Sequence, residues 1–241
     1  MRDAIVIIPT FNEIENIEAI IKAVFAQETE FDVLVVDDNS PDGTAAKVGE
    51  LQNEFKDRLF IEVRKEKSGL GTAYIHGFKW CLARHYEYIF EMDADFSHDP
   101  NDLPRLYNIC KENGADVSIG SRYIKGVNVV NWPMSRVLLS YLASIYVRII
   151  TGMKIRDTTA GFVCYKREVL ENINLDEIRF VGYAFQIEMK FKAYLRKYNI
   201  VEIPVIFTDR TKGESKLSGS IISEAIFGVI KMKIKSLFGK E

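Results

Sequence analysis

A chain of 241 residues, 47% hydrophobic and with a formal net charge of -2, is long enough to bury a large apolar core as one domain or one domain with an appendage. Its near-neutral balance and pI near 6.0 exclude the strongly basic surface that general nucleic-acid binding needs, so no nucleic-acid partner is expected. The three dispersed cysteines, Cys81, Cys110 and Cys164, lack C-x-x-C spacing and read as reduced buried thiols rather than as a disulfide or zinc framework.

Ala4-Ile-Val-Ile-Ile8 is a fully apolar strand ended by Pro9. The segment Thr10-Phe-Asn-Glu13 leads into an amphipathic helix with Ile17, Ile20, Ile21, Val24 and Phe25 on one face. Phe31 to Val36 is a second buried strand ending in Asp37 and Asp38, and Asn39-Ser-Pro-Asp-Gly43 supplies turn chemistry before a helix from about Thr44. Leu59 to Val63 makes a third strand, and Gly69-Leu-Gly71 opens a helix carrying Ala73, Phe78, Trp80 and Cys81. Tyr88 to Met92 is a short buried strand running into Asp93-Ala94-Asp95, followed by a helix from Pro100 to about Asn113 and a strand over 115–120. Strands and helices alternate, and the strands are almost continuously apolar. That pattern predicts an α/β fold, a mainly parallel twisted sheet with helices on both faces.

The second half is less regular. Val137 to Val147 is the most apolar run, but it is stopped by Arg148 and falls short of the roughly 20 residues a membrane-spanning helix needs. Gly161 to Tyr165 reads as a strand, Val181 to about Tyr198 as a helix, and Ile200 to Phe207 as an extended stretch whose Pro204 suits an edge. The segment 208–216 is a polar, basic loop. A helix over 219–239 carries Ile222, Ile226, Val229, Ile230, Ile234 and Leu237 with Lys231, Lys233 and Lys235 among them. It reads first as a helix docked on the sheet with solvated lysines, and second as an interfacial helix on anionic lipid. The N-terminus runs straight into a strand with no signal-peptide pattern, and no N-x-S/T sequon occurs, both compatible with a cytosolic setting.

In a parallel sheet the carboxyl ends of successive strands share one edge, where open α/β folds bind ligands. Glu13, Asp37, Asp38, Asp93, Asp95 and Arg122 all follow predicted strands, so they are expected to converge there. Asp93 and Asp95 offer hard oxygens suited to Mg²⁺ or Mn²⁺ bridging a diphosphate, although an isolated D-x-D is also a common solvated turn. Asp38 reads either as an acceptor for a base or ribose, or as part of a capped turn. His76, His85 and His98 lack metal-ligand spacing and read as structural or surface residues. Arg122, Arg136, Arg210 and Lys216 are the cations best suited to phosphates.

Six segments then occur in order: Ile7-Ile-Pro-Thr-Phe-Asn-Glu13, Val36-Asp-Asp-Asn-Ser-Pro-Asp-Gly-Thr44, Gly69-Leu-Gly-Thr-Ala-Tyr74, Met92-Asp-Ala-Asp95, Gly120-Ser-Arg-Tyr123 and Gly213-Glu-Ser-Lys216. Together they resemble family 2 glycosyltransferases, specifically the dolichol-phosphate mannose synthases. The resemblance implies a GT-A fold with a Rossmann-like nucleotide-sugar half, a catalytic domain over 1–218 and an amphipathic helix over 219–241. It also implies inverting, divalent-metal-dependent transfer from GDP-mannose to a polyprenyl (dolichyl) phosphate. By the same resemblance Pro9, Phe11, Glu13, Val36 and Asp38 would line the nucleoside pocket, and Asp93, Ala94 and Asp95 would hold metal and diphosphate. Arg122 would sit by the donor, Arg210 and Lys216 would close over its phosphates, and Arg136 and Ser140 would receive the lipid phosphate.

The implied setting is peripheral, at the cytoplasmic face of a membrane, with the apolar 137–147 segment against the lipid; the resemblance is to the type that works with a separate membrane-anchor subunit, or to a chain cut after its catalytic domain. Phe11 stands where the family often has tyrosine, and Ser97 where some members place a glutamine metal ligand. A UDP-glucose-using transferase of the same fold and a non-catalytic nucleotide-sugar-binding subunit are the alternative readings.

Overall fold

The structure is a computed structural model that describes residues 2–182, 184–209 and 219–238. Its first half runs β1 (Ala4–Thr10), α1 (Ile17–Phe25), β2 (Asp32–Asp37), α2 (Thr44–Leu51), β3 (Leu59–Val63), α3 (Leu70–Leu82) and β4 (Tyr88–Glu91). These four strands pair in parallel, β1 with both β2 and β4, and β2 with β3. Their apolar continuity has a simple cause: both faces are covered. Ile5, Ile7, Leu34 and Val36 point into one core layer with Tyr74 and Phe78 of α3. Ala4, Val6, Ile8, Val33 and Val35 point into the other, with Ile17, Ile20 and Ile21 of α1. Each such aliphatic side chain, fully buried, stabilises the fold by about 1.5–3 kcal/mol.

The second half runs α4 (Leu103–Lys111), β5 (Val117–Ser121), β6 (Val129–Val130), α5 (Met134–Thr151), β7 (Val163–Lys166), α6 (Arg167–Asn172), α7 (Ala184–Leu195), β8 (Ile200–Pro204), β9 (Phe207–Thr208) and α8 (Gly219–Leu237). The seven-stranded sheet has the order β3-β2-β1-β4-β7-β5-β8. β7 lies between β4 and β5 and is antiparallel to both. β5 is therefore parallel to β4 although it never touches it, and its carboxyl end falls on the same edge. β7 instead brings its entry to that edge. The mainly parallel sheet is as expected, with this one reversed strand at its centre. β8 is an edge strand, where Pro204 costs no ladder hydrogen bond on the outer side.

Two elements differ from the sequence expectation. α5 spans 18 residues at a mean hydropathy of 1.2, with only 17% of it buried. Arg148 does not stop it, because an arginine in the last turn of a helix also faces favourable backbone carbonyls. By length and composition alone α5 is sufficient to cross a membrane, contrary to the shorter run read from sequence. α8 docks on helices rather than on the sheet. Tyr146 of α5 donates to the Ile226 carbonyl (2.8 Å), Lys233 donates to the Thr151 carbonyl (3.2 Å), and Val229 joins the main core. Its other side leaves Phe227, Ile234, Leu237 and Phe238 exposed.

Candidate active site at the carboxyl edge of the sheet

At the β1–β2 end, the edge is a network of short polar contacts. The Thr10 hydroxyl donates to Asp37 (2.8 Å), and Asp37 also accepts from the Ser40 backbone (2.8 Å) and hydroxyl (2.6 Å). Asp37 is thus the capping residue of this turn. Asp38 instead receives Arg64 Nε and Nη2, each at 2.6 Å, and burial pushes its carboxyl above the usual range. Arg64 reaches on to the Thr72 hydroxyl at 2.7 Å. Phe11 lies under Lys67, whose ammonium is 4.3 Å from the ring centroid. Pro9, Phe11 and Glu13 are half-buried here, whereas Val36 is fully buried in the core, so only its backbone reaches the edge. Gly69-Leu-Gly71 is a helix entry: Gly69 has a φ of 103°, and a Cβ on Gly71 would meet the Phe180 carbonyl and the Phe185 ring at 2.8 Å.

Beyond β4 the chain turns sharply through Asp93-Ala94-Asp95, with Phe96 held at a φ of 60°, a conformation unfavourable for a bulky residue. Asp95 is 7% exposed, and its Oδ1 accepts from both the backbone (3.0 Å) and the hydroxyl (2.6 Å) of Ser97. Ser97 therefore positions this carboxylate rather than extending the oxygen set outward. Ala94 is buried and packs into the core. The Asp93 backbone N–H donates to His98 Nδ1 at 3.1 Å. His98 is not a surface residue: it is 4% exposed, stacked on Phe162 (4.9 Å, 11°) and edge-on to Phe207 (5.5 Å, 79°). Burial pushes its imidazole down to about 4, so it is neutral at pH 7.

Asp93, His98 and Arg122 line a cavity of about 420 Å³ together with Arg136, Ser140, Thr159, Gly161 and Gln186. Arg136 and Ser140 stand one turn apart on α5 and face this space together. The far wall is apolar, formed by Leu139, Leu142, Tyr146 and Ile226. Arg122 is gripped by Asp157 through Nε (2.7 Å) and Nη2 (2.6 Å), and it donates to the Thr159 hydroxyl at 2.8 Å. Burial raises the Asp157 carboxyl, but the guanidinium and its hydrogen bonds outweigh that and hold it below the usual range. Arg136 donates to Asp209 (2.8 Å) and lies 4.1 Å over the Trp132 ring. Arg210 and Lys216 lie outside the described residues.

Behind this edge lie two buried titratable groups, Glu91 and Lys190, bridged by Gln186. Glu91 and Lys190 are both fully buried; burial pushes the carboxyl up to about 8 and the ammonium down to about 8. Gln186 sits between them, donating to Glu91 (2.5 Å) and accepting from Lys190 (3.2 Å), while Lys190 also donates to the Ala160 carbonyl (2.6 Å). Asp157, Gln186 and Lys190 carried no sequence signal, and Gly161 only that of a strand start. Asp157 and Gly161 precede β7, and a reversed strand delivers its entry to the edge where parallel strands deliver their exits. Gln186 and Lys190 show an i, i+4 spacing, but polar residues at that spacing read as a solvated helix face.

Among the described residues no group of three or more His, Cys, Asp or Glu side chains is arranged to hold a metal ion. Asp93 and Asp95 nevertheless fit an ion whose remaining ligands come from a diphosphate and water, since carboxylate oxygens are what Mg²⁺ and Mn²⁺ prefer. Residues 5–173 match the model of the family described as glycosyl transferase family 2. The chain belongs to that family. As a glycosyltransferase it is 46% identical over 231 residues to a polyprenol monophosphomannose synthase of Mycolicibacterium smegmatis, covering 96% of this chain and 87% of the relative. It is 44% identical over 225 residues to an undecaprenyl-phosphate mannosyltransferase of Micrococcus luteus, covering 93% and 91%. A dolichol-phosphate mannosyltransferase of Pyrococcus furiosus is 38% identical over 231 residues, covering 94% of this chain and 62% of the longer protein. Among solved structures, glucosyl-3-phosphoglycerate synthase from Mycobacterium tuberculosis with Mn²⁺ and UDP-glucose superposes with a TM-score of 0.65 at 16% identity, covering 100% of this chain and 80% of the other. That likeness bears out the GT-A fold of this glycosyltransferase.

Proposed function

We propose that this glycosyltransferase transfers mannose from GDP-mannose to a polyprenyl phosphate at a membrane surface, with inversion and with a bound Mg²⁺ or Mn²⁺. The mannosyltransferase names of the relatives support the sugar and the lipid-phosphate class. The observation that carries the reading is the cavity itself, which joins the Asp93 edge to an apolar wall with Arg136 and Ser140 between them. Such a space suits a polar donor meeting a phosphate on an apolar tail.

In this reading Phe11, Glu13, Asp38 and the paired Arg64 hold the nucleoside at the open end, with Pro9 and the Val36 backbone beneath it. Asp93 and Asp95 hold the metal, which would neutralise the departing diphosphate. Arg122, locked by Asp157, faces the donor sugar from a fixed pose. Arg136 and Ser140 bind the acceptor phosphate, and Arg210 and Lys216 complete the donor phosphate site. The acceptor needs no strong general base: a phosphomonoester has a second pKa near 6 and is largely dianionic at pH 7. The outward apolar residues of α5, Leu138 and Ile149 among them, lie against the lipid in this reading.

Incubation with radiolabelled GDP-mannose, a short polyprenyl phosphate and Mn²⁺ is expected to move label into the organic phase. Donor binding without organic-phase label would reject the acceptor assignment. Calorimetry with GDP and with UDP, each with Mn²⁺, separates the two donor readings; tighter UDP binding would favour the glucosyl alternative.

A further inference from the structure

Gly161 leaves a notch in the cavity wall. A Cβ placed there would lie 3.6 Å from His98 Cε1 and 3.8 Å from Gln186 Nε2, so both side chains border a space the size of one heavy atom. Asp93, Arg122 and Thr159 line the same end of the cavity.

Both bordering groups are fixed hydrogen-bond donors. His98 Nδ1 accepts from the Asp93 backbone, so in the neutral ring the proton must sit on Nε2. A ring turned over would present a carbon to the Asp93 N–H and lose that bond, while Phe162 and Phe207 hold the ring plane. Among the described residues Nε2 meets no hydrogen-bond partner. Gln186 is equally constrained: its amide nitrogen faces the Glu91 carboxylate and its oxygen faces the Lys190 ammonium, and a flipped amide would lose both contacts. One amide N–H is spent on Glu91, and the second meets no partner among the described residues. The Lys190 bond to the Ala160 carbonyl holds the backbone of the notch in place.

We propose that the Gly161 notch is the subsite that reads the hydroxyl groups of the donor sugar, with His98 Nε2–H and the second Gln186 N–H as its donors. This rests on the nucleotide-sugar reading above and extends it to residues that the family motifs quoted earlier do not contain. Two neutral N–H groups beside a carboxylate suit a hydroxyl, which can accept from one and donate to the other. The buried Glu91–Lys190 pair then has a positioning role: it sets which way the Gln186 amide points.

Two variants test the proposal. Gly161→Ala fills the notch, and because its Cβ makes only ordinary contacts, the fold should tolerate it. His98→Asn keeps an acceptor for the Asp93 N–H and removes the distal donor. Calorimetry with GDP and Mn²⁺, and transfer kinetics with GDP-mannose, are measured for each variant beside the wild type. GDP affinity is expected to stay within about twofold, while kcat/KM for GDP-mannose falls about tenfold, the effect of one neutral hydrogen bond. Unchanged kcat/KM, or an equal loss of GDP affinity, would overturn the notch. A wild-type protein that binds UDP and not GDP would overturn the guanosine reading instead. The notch is then decided by the same comparison made with UDP and UDP-glucose.

Discussion

The two ends of the sheet's carboxyl edge are each organised around an arginine–aspartate pair, and the pairs are assembled differently. Arg64 and Asp38 come from neighbouring parallel strands, and their side chains are 13% and 8% exposed. Arg122 and Asp157 come from β5 and from the approach to β7, with α5 between them in the chain, and they are 9% and 0% exposed. The first pair lies at the β1–β2 end of the edge and the second lines the cavity, with its acid fully buried. The less exposed the pair, the more its arginine loses when the acid is removed.

Removing the acids should therefore give unequal results. Asp157→Ala is expected to destabilise the fold by about 3–5 kcal/mol, because it leaves a buried guanidinium without its counter-charge; urea unfolding measures this. A loss below about 1 kcal/mol would show that Arg122 is solvated and erase the contrast. Asp95→Ala acts on activity: transfer should fall by about 10²–10³-fold, as when one fixed electrostatic contact to a developing charge is lost, with the circular dichroism unchanged. Near-wild-type turnover would sink the metal assignment.

The cavity end should also respond to acid. The folded His98 titrates at about 4 against an ordinary 6.5, so between those values the unfolded chain binds the extra proton and stability falls as pH is lowered. Between pH 7 and pH 5 the wild type should lose about 2 kcal/mol that His98→Asn does not, read from unfolding curves at the two pH values. Equal slopes would place His98 in contact with solvent. The smallest effect is expected at the β1–β2 end, where Asp38→Asn should cost about 1 kcal/mol of stability while weakening nucleotide binding. A larger stability loss there would make the two pairs equivalent.

The same contrast explains what could be read from the sequence. The strands β1 to β4 were legible because parallel strands covered on both faces are apolar throughout. Asp38, Asp93 and Asp95 were singled out because they follow such strands. The Arg64 partner of Asp38 was not, since it lies one residue beyond β3 with no motif around it. At the cavity end Arg122 and Arg136 were singled out as cations suited to phosphates, and Ser140 through resemblance. Asp157, Gly161 and Gln186 were missed because a reversed strand and a covering helix carry them. His98 was read as structural or surface, and it is structural; spacing cannot reveal that two aromatic rings clamp it. The extent of α5 was underestimated because helix length is not set by the uninterrupted apolar run.

The reversed strand also sets an order of assembly. β5 has no neighbour on its β4 side until β7 is in place, and β4 shows a bare edge until the same moment. Pairing Glu91 with Val163 closes a loop of less than half the length of the matched family region, but still a long one, and long closures are slow to form. During synthesis, the first four strands would wait with an unpaired apolar margin until residues up to Lys166 had emerged, and bare margins of this kind invite intermolecular pairing. Chains arrested before β7 should therefore collect in the insoluble fraction, whereas chains extending past it should fold.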